Sequence, residues 1–402
     1  MSSRVNPAEL AARNGALPAA QPYTTEEILE AILSAQASIA DIIFSPGRPP
    51  QAGLGGRLLP VDVAGLSALT PQDTARIASE LIGNNTQAKN KLDADGSCDI
   101  SYSLAAISRF RVNIFSQRGS YAVVMRVIPS NVPTFETLKL PPQLRDVTGL
   151  LNGIVLVTGP TGCGKSSTLA AIINQINEEK AYHIITIEDP IEFLHSHKLS
   201  TVHQRELHSD TPSFALALRA ALRQAPKVIL VGEMRDRETV EVALEAAETG
   251  HLVFSTLHTI DASRTVERIA GVFPLSEQNV IRARFSKTFR YVISQRLLPK
   301  TGGGRVAVLE ILKSTMRTRD YVMKGETEGR SLTDAMHDGQ VDGMQTFDDE
   351  LEKLWLGRTI TKDIALAYAT NPTNLALRLT DDNAPPEPEK ETEGESMLSL
   401  LE

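Results

Sequence analysis

Residues 159–166 read Gly-Pro-Thr-Gly-Cys-Gly-Lys-Ser, directly after the apolar run Gly153–Thr158 and directly before the helical run Ser167–Asn177. A strand, a glycine-rich turn and a helix in that order form a phosphate cradle, and they commit the surrounding chain to an α/β sheet. Glycines at 159, 162 and 164 let backbone N–H groups turn inward around phosphate oxygens, Lys165 reaches the β- and γ-phosphates, and Ser166 offers a hydroxyl to Mg²⁺. Gly159, Pro160, Thr161, Gly162, Cys163, Gly164, Lys165, Ser166 and the helix-opening Ser167 are therefore expected to contact ATP and its metal.

From Gly153 onward, apolar runs alternate with amphipathic stretches, and Ile154–Val157, Ile184–Ile187, Val228–Val231 and Leu252–Ser255 read as four buried strands. That order predicts a parallel α/β sheet whose ligand lies at the carboxyl ends of the strands. Three runs end in ionisable residues. Glu188 and Asp189 follow the second run, where a carboxylate can orient and deprotonate an attacking water. Glu233 ends Val228-Ile-Leu-Val-Gly-Glu, the position of a carboxylate that holds the Mg²⁺ shell. His251 and His258 bracket the fourth run; both are expected at the nucleotide, with His258 on the carboxyl edge as a γ-phosphate sensor.

A chain of 402 residues exceeds one ordinary core and predicts two globular units with tails. Residues 1–22, rich in Ala, Pro and polar groups, read as an unstructured leader. Residues 23–129 read as a small α+β domain. Thr24/Thr25 with Glu27 start a helix carrying Ile28, Leu29 and Ile32, and Thr70-Pro-Gln-Asp caps another. Asp41–Phe44, Leu58–Val61, Ile100–Tyr102, Phe110–Phe115 and Tyr121–Ile128 read as strands, the last two joined by the turn Gln117-Arg-Gly-Ser. The proline-marked segment 130–146 reads as a linker, residues 147–380 as the nucleotide domain and 381–402 as a disordered acidic tail.

Of the formal net charge of −8, the tail carries −7, so the body is near neutral, which argues against a nucleic-acid translocase driven by a broad basic surface. No apolar run reaches the roughly 18 residues of a membrane span, and Met1–Leu17 has no apolar signal core, which predicts a cytoplasmic chain. Cys98 and Cys163 alone make neither a disulfide framework nor a four-cysteine zinc site, and the spacing of His195, His197, His203 and His208 fits no common zinc pattern.

Four segments together carry a family resemblance: Thr158-Gly-Pro-Thr-Gly-Cys-Gly-Lys-Ser, Ile187-Glu-Asp-Pro-Ile-Glu-Phe, Ile229-Leu-Val-Gly-Glu-Met-Arg-Asp and Ala247-Glu-Thr-Gly-His-Leu-Val-Phe-Ser-Thr-Leu-His-Thr. They resemble the Walker A, Asp box, Walker B and His box of the type IV pilus retraction ATPases, the PilT/PilU group of secretion ATPases. The resemblance runs from about residue 24 to 378. It implies a PAS-like amino-terminal domain, a RecA-like P-loop ATPase domain and a homohexamer with nucleotide bound between domains. It makes Glu188 the catalytic base and Glu233 the Walker B glutamate, and it places phosphate-clamping arginines at Arg111 and Arg126. It further implies peripheral attachment at the cytoplasmic face of the inner membrane, a pilus platform protein as partner and a related retraction ATPase as a possible second one.

Three segments depart from the family pattern. Ile39-Ala-Asp-Ile-Ile-Phe stands for Ala-Ser-Asp-Leu-His-Leu, Ala225-Pro-Lys for Asp-Pro-Asp, and Arg317-Thr-Arg-Asp-Tyr-Val for Ala-Ile-Arg-Asn-Leu-Ile, keeping only the arginine at 319. Arg317–Val322 is expected as an exposed amphipathic helix after the strand Val306–Leu312. The function expected is an ATP-driven hexameric motor for pilus retraction. Its alternatives are a pilus-assembly or type II secretion ATPase, or a PilU-like accessory nucleotide-binding scaffold of low turnover.

Overall fold

Capping and alternation build the first part of the chain. Thr24 and Glu27 close on each other's backbone N–H groups, at 2.9 and 3.3 Å, and the helix Thr25–Ala35 then buries Ile28, Leu29 and Ile32. Thr70 and Asp73 form the same reciprocal box at the start of the helix Pro71–Ile82, with proline in its first turn. Six strands follow: β1 (Asp41–Phe44), β2 (Gln51–Leu54), β3 (Arg57–Pro60), β4 (Ser97–Leu104), β5 (Ser108–Gln117) and β6 (Ser120–Ile128), with burial alternating most clearly along β1 and β5. They pair antiparallel in the order β3-β2-β1-β6-β5-β4. Phe110, Val112 and Ile114 face inward on β5, with the exposed Arg111 between them.

The structure is a computed structural model that describes residues 23–35, 39–54, 57–63, 66–105, 107–129 and 131–380. The leader 1–22 and the acidic tail 381–402 lie outside the described residues. The chain divides into two compact units. One takes the described residues up to Val132 together with Glu188–Ser196 and Gln204–Ser213; the other takes Pro133–Ile187, His197–His203 and the rest from Phe214. The boundary is therefore not a single cut, because the two short segments Glu188–Ser196 and Gln204–Ser213 join the amino-terminal unit. There Glu206 is buried and accepts hydrogen bonds from the Ile191 N–H at 3.2 Å, from Arg109 at 3.2 Å and from the Ser101 hydroxyl.

The second unit holds β7 (Gly153–Thr158), β8 (His183–Glu188), β9 (Thr201–Glu206), β10 (Val228–Val231), β11 (Leu252–Leu257), β12 (Phe289–Pro299) and β13 (Arg305–Lys313). The sheet order is β13-β12-β7-β11-β10-β8-β9. Strands β12, β7, β11, β10 and β8 run parallel to their neighbours, and β13 returns antiparallel to β12. Every residue of β7, β10 and β11 is buried, as expected of parallel strands covered by helices on both faces.

Within the segment expected as a linker, helical turns form from Phe135 onward. Thr134 caps the single-turn helix Phe135–Leu138, Pro142 enters a 3₁₀ helix over Pro142–Gly149, and Phe135, Leu140, Leu144 and Val147 join the core of the second unit. Prolines that signal a break to sequence reading here start helical turns. Beyond β13, the helix Met316–Lys324 covers and extends the expected Arg317–Val322.

Candidate active site

The cradle inherits its place from β7, whose last residue Thr158 is fully buried. Gly159, Gly162 and Gly164 have φ of 142°, 79° and 93°, backbone that side chains disfavour. At Gly159 space forbids a substituent as well, because a Cβ would lie 2.3 Å from the Gln295 carbonyl oxygen and 2.7 Å from Cys163 Sγ. The helix Lys165–Glu179 then begins on Gly164 with no side-chain cap, leaving first-turn N–H groups for an anion. Lys165 is 8% exposed, and its Nζ donates to the carbonyls of Gly159 at 2.9 Å and Pro160 at 3.1 Å, so the ammonium sits inside the loop. Burial lowers its pKa, while Cys163 and the charge of Glu233 oppose that shift. Cys163 is buried, and that burial raises its thiol pKa.

Glu233 and His258 come to this loop from two neighbouring strands. The turn after β10 carries Glu233, and β11 ends one residue before His258. Glu233 Oε2 lies 2.7 Å from Arg235 Nε and 3.5 Å from His258 Nε2. Thr256 ties the two turns together, its hydroxyl donating to the Gly232 carbonyl at 2.6 Å. Thr161, Glu233, Arg235, Thr256, His258 and Arg268 line one cavity of about 580 Å³, the size of a small-ligand site. The donors fit Mg²⁺, since the exposed Ser166 hydroxyl and the Glu233 carboxylate are hard oxygen ligands of the kind that leave room for waters and phosphates.

His251 does not belong to this group. It precedes β11, its carbonyl accepts the N–H of Gly153 at the start of β7, and its Nδ1 pairs with the Ala246 carbonyl at 3.0 Å. It therefore stands at the amino edge of the sheet, a full strand away from the cradle, and its expected nucleotide contact is withdrawn. A histidine on either side of a six-residue strand cannot reach the same end of it.

Glu188 ends β8 and accepts a hydrogen bond from Gln204 Nε2 at 3.1 Å, within the amino-terminal unit. Arg111 and Arg126 belong to that unit too. They are cross-strand partners on β5 and β6, and Arg126 Nε bonds Asp41 Oδ1 at 2.8 Å, which raises the guanidinium pKa. Of the four histidines weighed as metal ligands, His203 instead bonds His183 at 2.9 Å and His197 Nδ1 accepts the Val202 N–H at 3.1 Å. Among the described residues no group of three or more His, Cys, Asp or Glu is placed to hold a metal ion.

Sequence reading missed Gln295 in the interior of β12. Its Nε2 donates to the Cys163 carbonyl at 2.5 Å and its Oε1 accepts from Thr168 at 2.8 Å, so it grips the cradle from outside. The available signal was Ser294-Gln-Arg, a polar triplet inside the otherwise apolar run 292–298.

A family profile described as type II/IV secretion system protein matches residues 70–365. The chain is similar to two proteins of Pseudomonas aeruginosa. The type IV pilus retraction ATPase PilT is 42% identical over 343 residues, which cover 85% of this chain and 97% of that protein. The type IV pilus ATPase PilU is 39% identical over 341 residues, covering 85% and 87%. A crystal structure of the pilus retraction motor PilT with bound ADP superposes with a TM-score of 0.77 at 42% identity, over 89% of this chain and 100% of that one.

Proposed function

The chain belongs to the type II/IV secretion system family of ATPases, and from that premise we propose that it is the ATP-hydrolysing motor that retracts a type IV pilus. The observation that carries the reading is the convergence of an uncapped glycine cradle, Lys165, Glu233 and His258 at the carboxyl edge of one parallel sheet. In that role the backbone N–H groups and Lys165 hold the phosphates, and Ser166 and Glu233 hold Mg²⁺, which supplies charge neutralisation at the phosphates. Glu188 takes the proton of the attacking water, and His258 reads the γ-phosphate. The chemistry is positioning and electrostatics, with no covalent intermediate on the protein.

The motor is a homohexamer in which Arg111 and Arg126 close over the phosphates as the amino-terminal unit moves, and the six-stranded sheet of that unit supports a PAS-like assignment. It works at the cytoplasmic face of the inner membrane against a pilus platform protein. Among the described residues no helix is long and apolar enough to cross a membrane. A second reading, an accessory scaffold beside a related retraction ATPase, is favoured by one observation. The exposed helix Met316–Lys324 carries Arg317-Thr-Arg-Asp-Tyr-Val where the retraction motors carry Ala-Ile-Arg-Asn-Leu-Ile. Two measurements test the motor: steady-state ATP hydrolysis by the purified chain, and a gene deletion scored for surface pili. Hydrolysis together with piliated, non-twitching cells supports it; bald cells point to an assembly motor, and a chain without turnover points to the scaffold.

A further inference from the structure

Three polar residues stand in register across three adjacent strands: Thr158 on β7 opposite Ser294 on β12, and Ser294 opposite Glu310 on β13. All three are buried among apolar neighbours. Thr158 Oγ1 donates to Ser294 Oγ at 3.1 Å, the Ser294 hydroxyl stands in register with the Glu310 carboxylate and favours its charged form, and Glu310 Oε1 accepts the N–H of Ala262 at 2.8 Å. A hydroxyl has one proton to give, so the carboxylate end fixes the direction of the whole row.

The two ends of the row are functional. Thr158 is the residue before the cradle glycine Gly159, and Ala262 opens the helix Ala262–Gly271, four residues after His258. The intervening turn is itself braced, Asp261 Oδ1 accepting the Arg264 N–H at 2.7 Å and Thr259 bonding Thr265 at 2.6 Å. The residue after Ser294 is Gln295, which grips Cys163 and Thr168 of the cradle. Burial pushes the Glu310 pKa up to about 7, with Asp261 adding to the rise and Ala262 N–H, Arg296 and Ser294 opposing it. An apolar residue would fill this space without that desolvation cost, so the carboxylate is retained against stability.

We propose that Glu310 is a positioning residue: through Ser294 and Thr158 it locks the base of the phosphate cradle to the turn that carries His258, so that nucleotide binding also sets His258. This rests on the ATPase reading for its kinetic consequence but not for its structural one. The row does not touch nucleotide, so it governs how well the γ-phosphate is read and leaves affinity to the cradle.

The test compares the full-length chain with Glu310→Gln, Glu310→Ala and Ser294→Ala. Glu310→Ala and Ser294→Ala are expected to lower kcat by about tenfold or more with KM for ATP within about twofold, the pattern of a misplaced group rather than a lost contact. Glu310→Gln keeps the acceptor for Ala262 N–H and can donate to Ser294 with the row reversed, so it should recover most of kcat. Hydrogen exchange supplies a readout free of turnover. Adding ADP should slow exchange at 258–265 in the parent and in Glu310→Gln but not in the two truncations. An unchanged kcat in both truncations, a matching rise in KM, a Glu310→Gln variant as impaired as Glu310→Ala, or ADP protection that survives Ser294→Ala would each overturn the proposal. A parent that protects 258–265 with ADP yet never hydrolyses ATP would remove the motor reading and leave the relay standing.

Discussion

The two sheets of this molecule place functional groups by opposite rules. In the amino-terminal unit the antiparallel strands show alternating burial, so Arg111 and Arg126 stand on a strand face between core residues. In the second unit β7, β10 and β11 are buried throughout, so chemistry is displaced to the strand ends, where the cradle, Glu233 and His258 sit. A face position can be lost without disturbing the sheet, whereas a strand-end group depends on everything beneath it. The comparison can be broken by removing groups of each kind and asking which loss stays local.

Strand-end and cradle groups should show the largest effects. Lys165→Ala is expected to abolish detectable ATP binding in a fluorescent-nucleotide titration, since its Nζ is lodged among the cradle carbonyls. Glu188→Gln should keep that affinity yet lower kcat by about 10²- to 10⁴-fold, because the amide cannot accept a proton. Near-parental hydrolysis by Glu188→Gln removes the base assignment.

Face positions come next. Arg111→Ala and Arg126→Ala should each lower kcat by about tenfold or more, as loss of a phosphate-clamping arginine does. Folding should hardly change. The Arg126 side chain is 70% exposed, and its ion pair with Asp41 is worth about 1 kcal/mol or less. Sedimentation showing only monomers with ATP and Mg²⁺, or full activity from residues 147–380 alone, contradicts the clamp.

A smaller effect separates pH from catalysis. Glu310 has a folded pKa of about 7 against 4.5 for the ordinary carboxyl, so the folded chain binds more protons than the unfolded one between those values. Stability therefore falls as pH rises through that window, and no penalty is present below it. Glu310→Gln should be stabilised relative to the parent by about 2–3 kcal/mol more at pH 8 than at pH 5, because the amide does not titrate and the difference between the two pH values is the linkage of the carboxyl alone. Parallel denaturation curves at the two pH values would show that the carboxyl does not titrate there.

The smallest effect on hydrolysis is expected furthest from the sheet edge. Arg319 bonds the Ser314 hydroxyl at 2.8 Å and Arg317 bonds both the Tyr321 hydroxyl at 3.0 Å and Asp338 at 2.7 Å, so the helix Met316–Lys324 is braced locally, away from the sheet edge that carries the cradle. Arg319→Ala combined with Tyr321→Ala should leave kcat within about twofold while eliminating retraction, since surface changes of this kind rarely perturb a distant core. Normal twitching by the double mutant rules out the coupling role, and parallel loss of hydrolysis makes the helix a packing element.

What sequence could show follows the range of the forces involved. The strand Gly153–Thr158, the Thr70 capping box and the turn Gln117-Arg-Gly-Ser depend on neighbours within a few residues and are readable locally. The helical turns Phe135–Leu138 and Pro142–Gly149 were not legible, because proline has the same identity in an extended connection and at the first turn of a helix, and only the burial of Phe135, Leu144 and Val147 separates the two. His251 misled because membership of the motif was given more weight than its place before Leu252–Leu257, which puts it at the edge of the parallel sheet opposite the ligand. Ser294, Gln295 and Glu310 were illegible for a further reason: their partners arrive from strands more than a hundred residues away or from an antiparallel neighbour.

Gln295 meets Cys163 across 132 residues of chain, and this separation has a consequence for biosynthesis. During translation the eight cradle residues leave the ribosome long before the strand that grips them, and strand-to-strand contacts of such span form late. The emerging chain passes through an interval in which the glycine loop exists but has no wall behind it. Competence to hold a triphosphate is therefore acquired only after β12 has been made, long after the cradle itself.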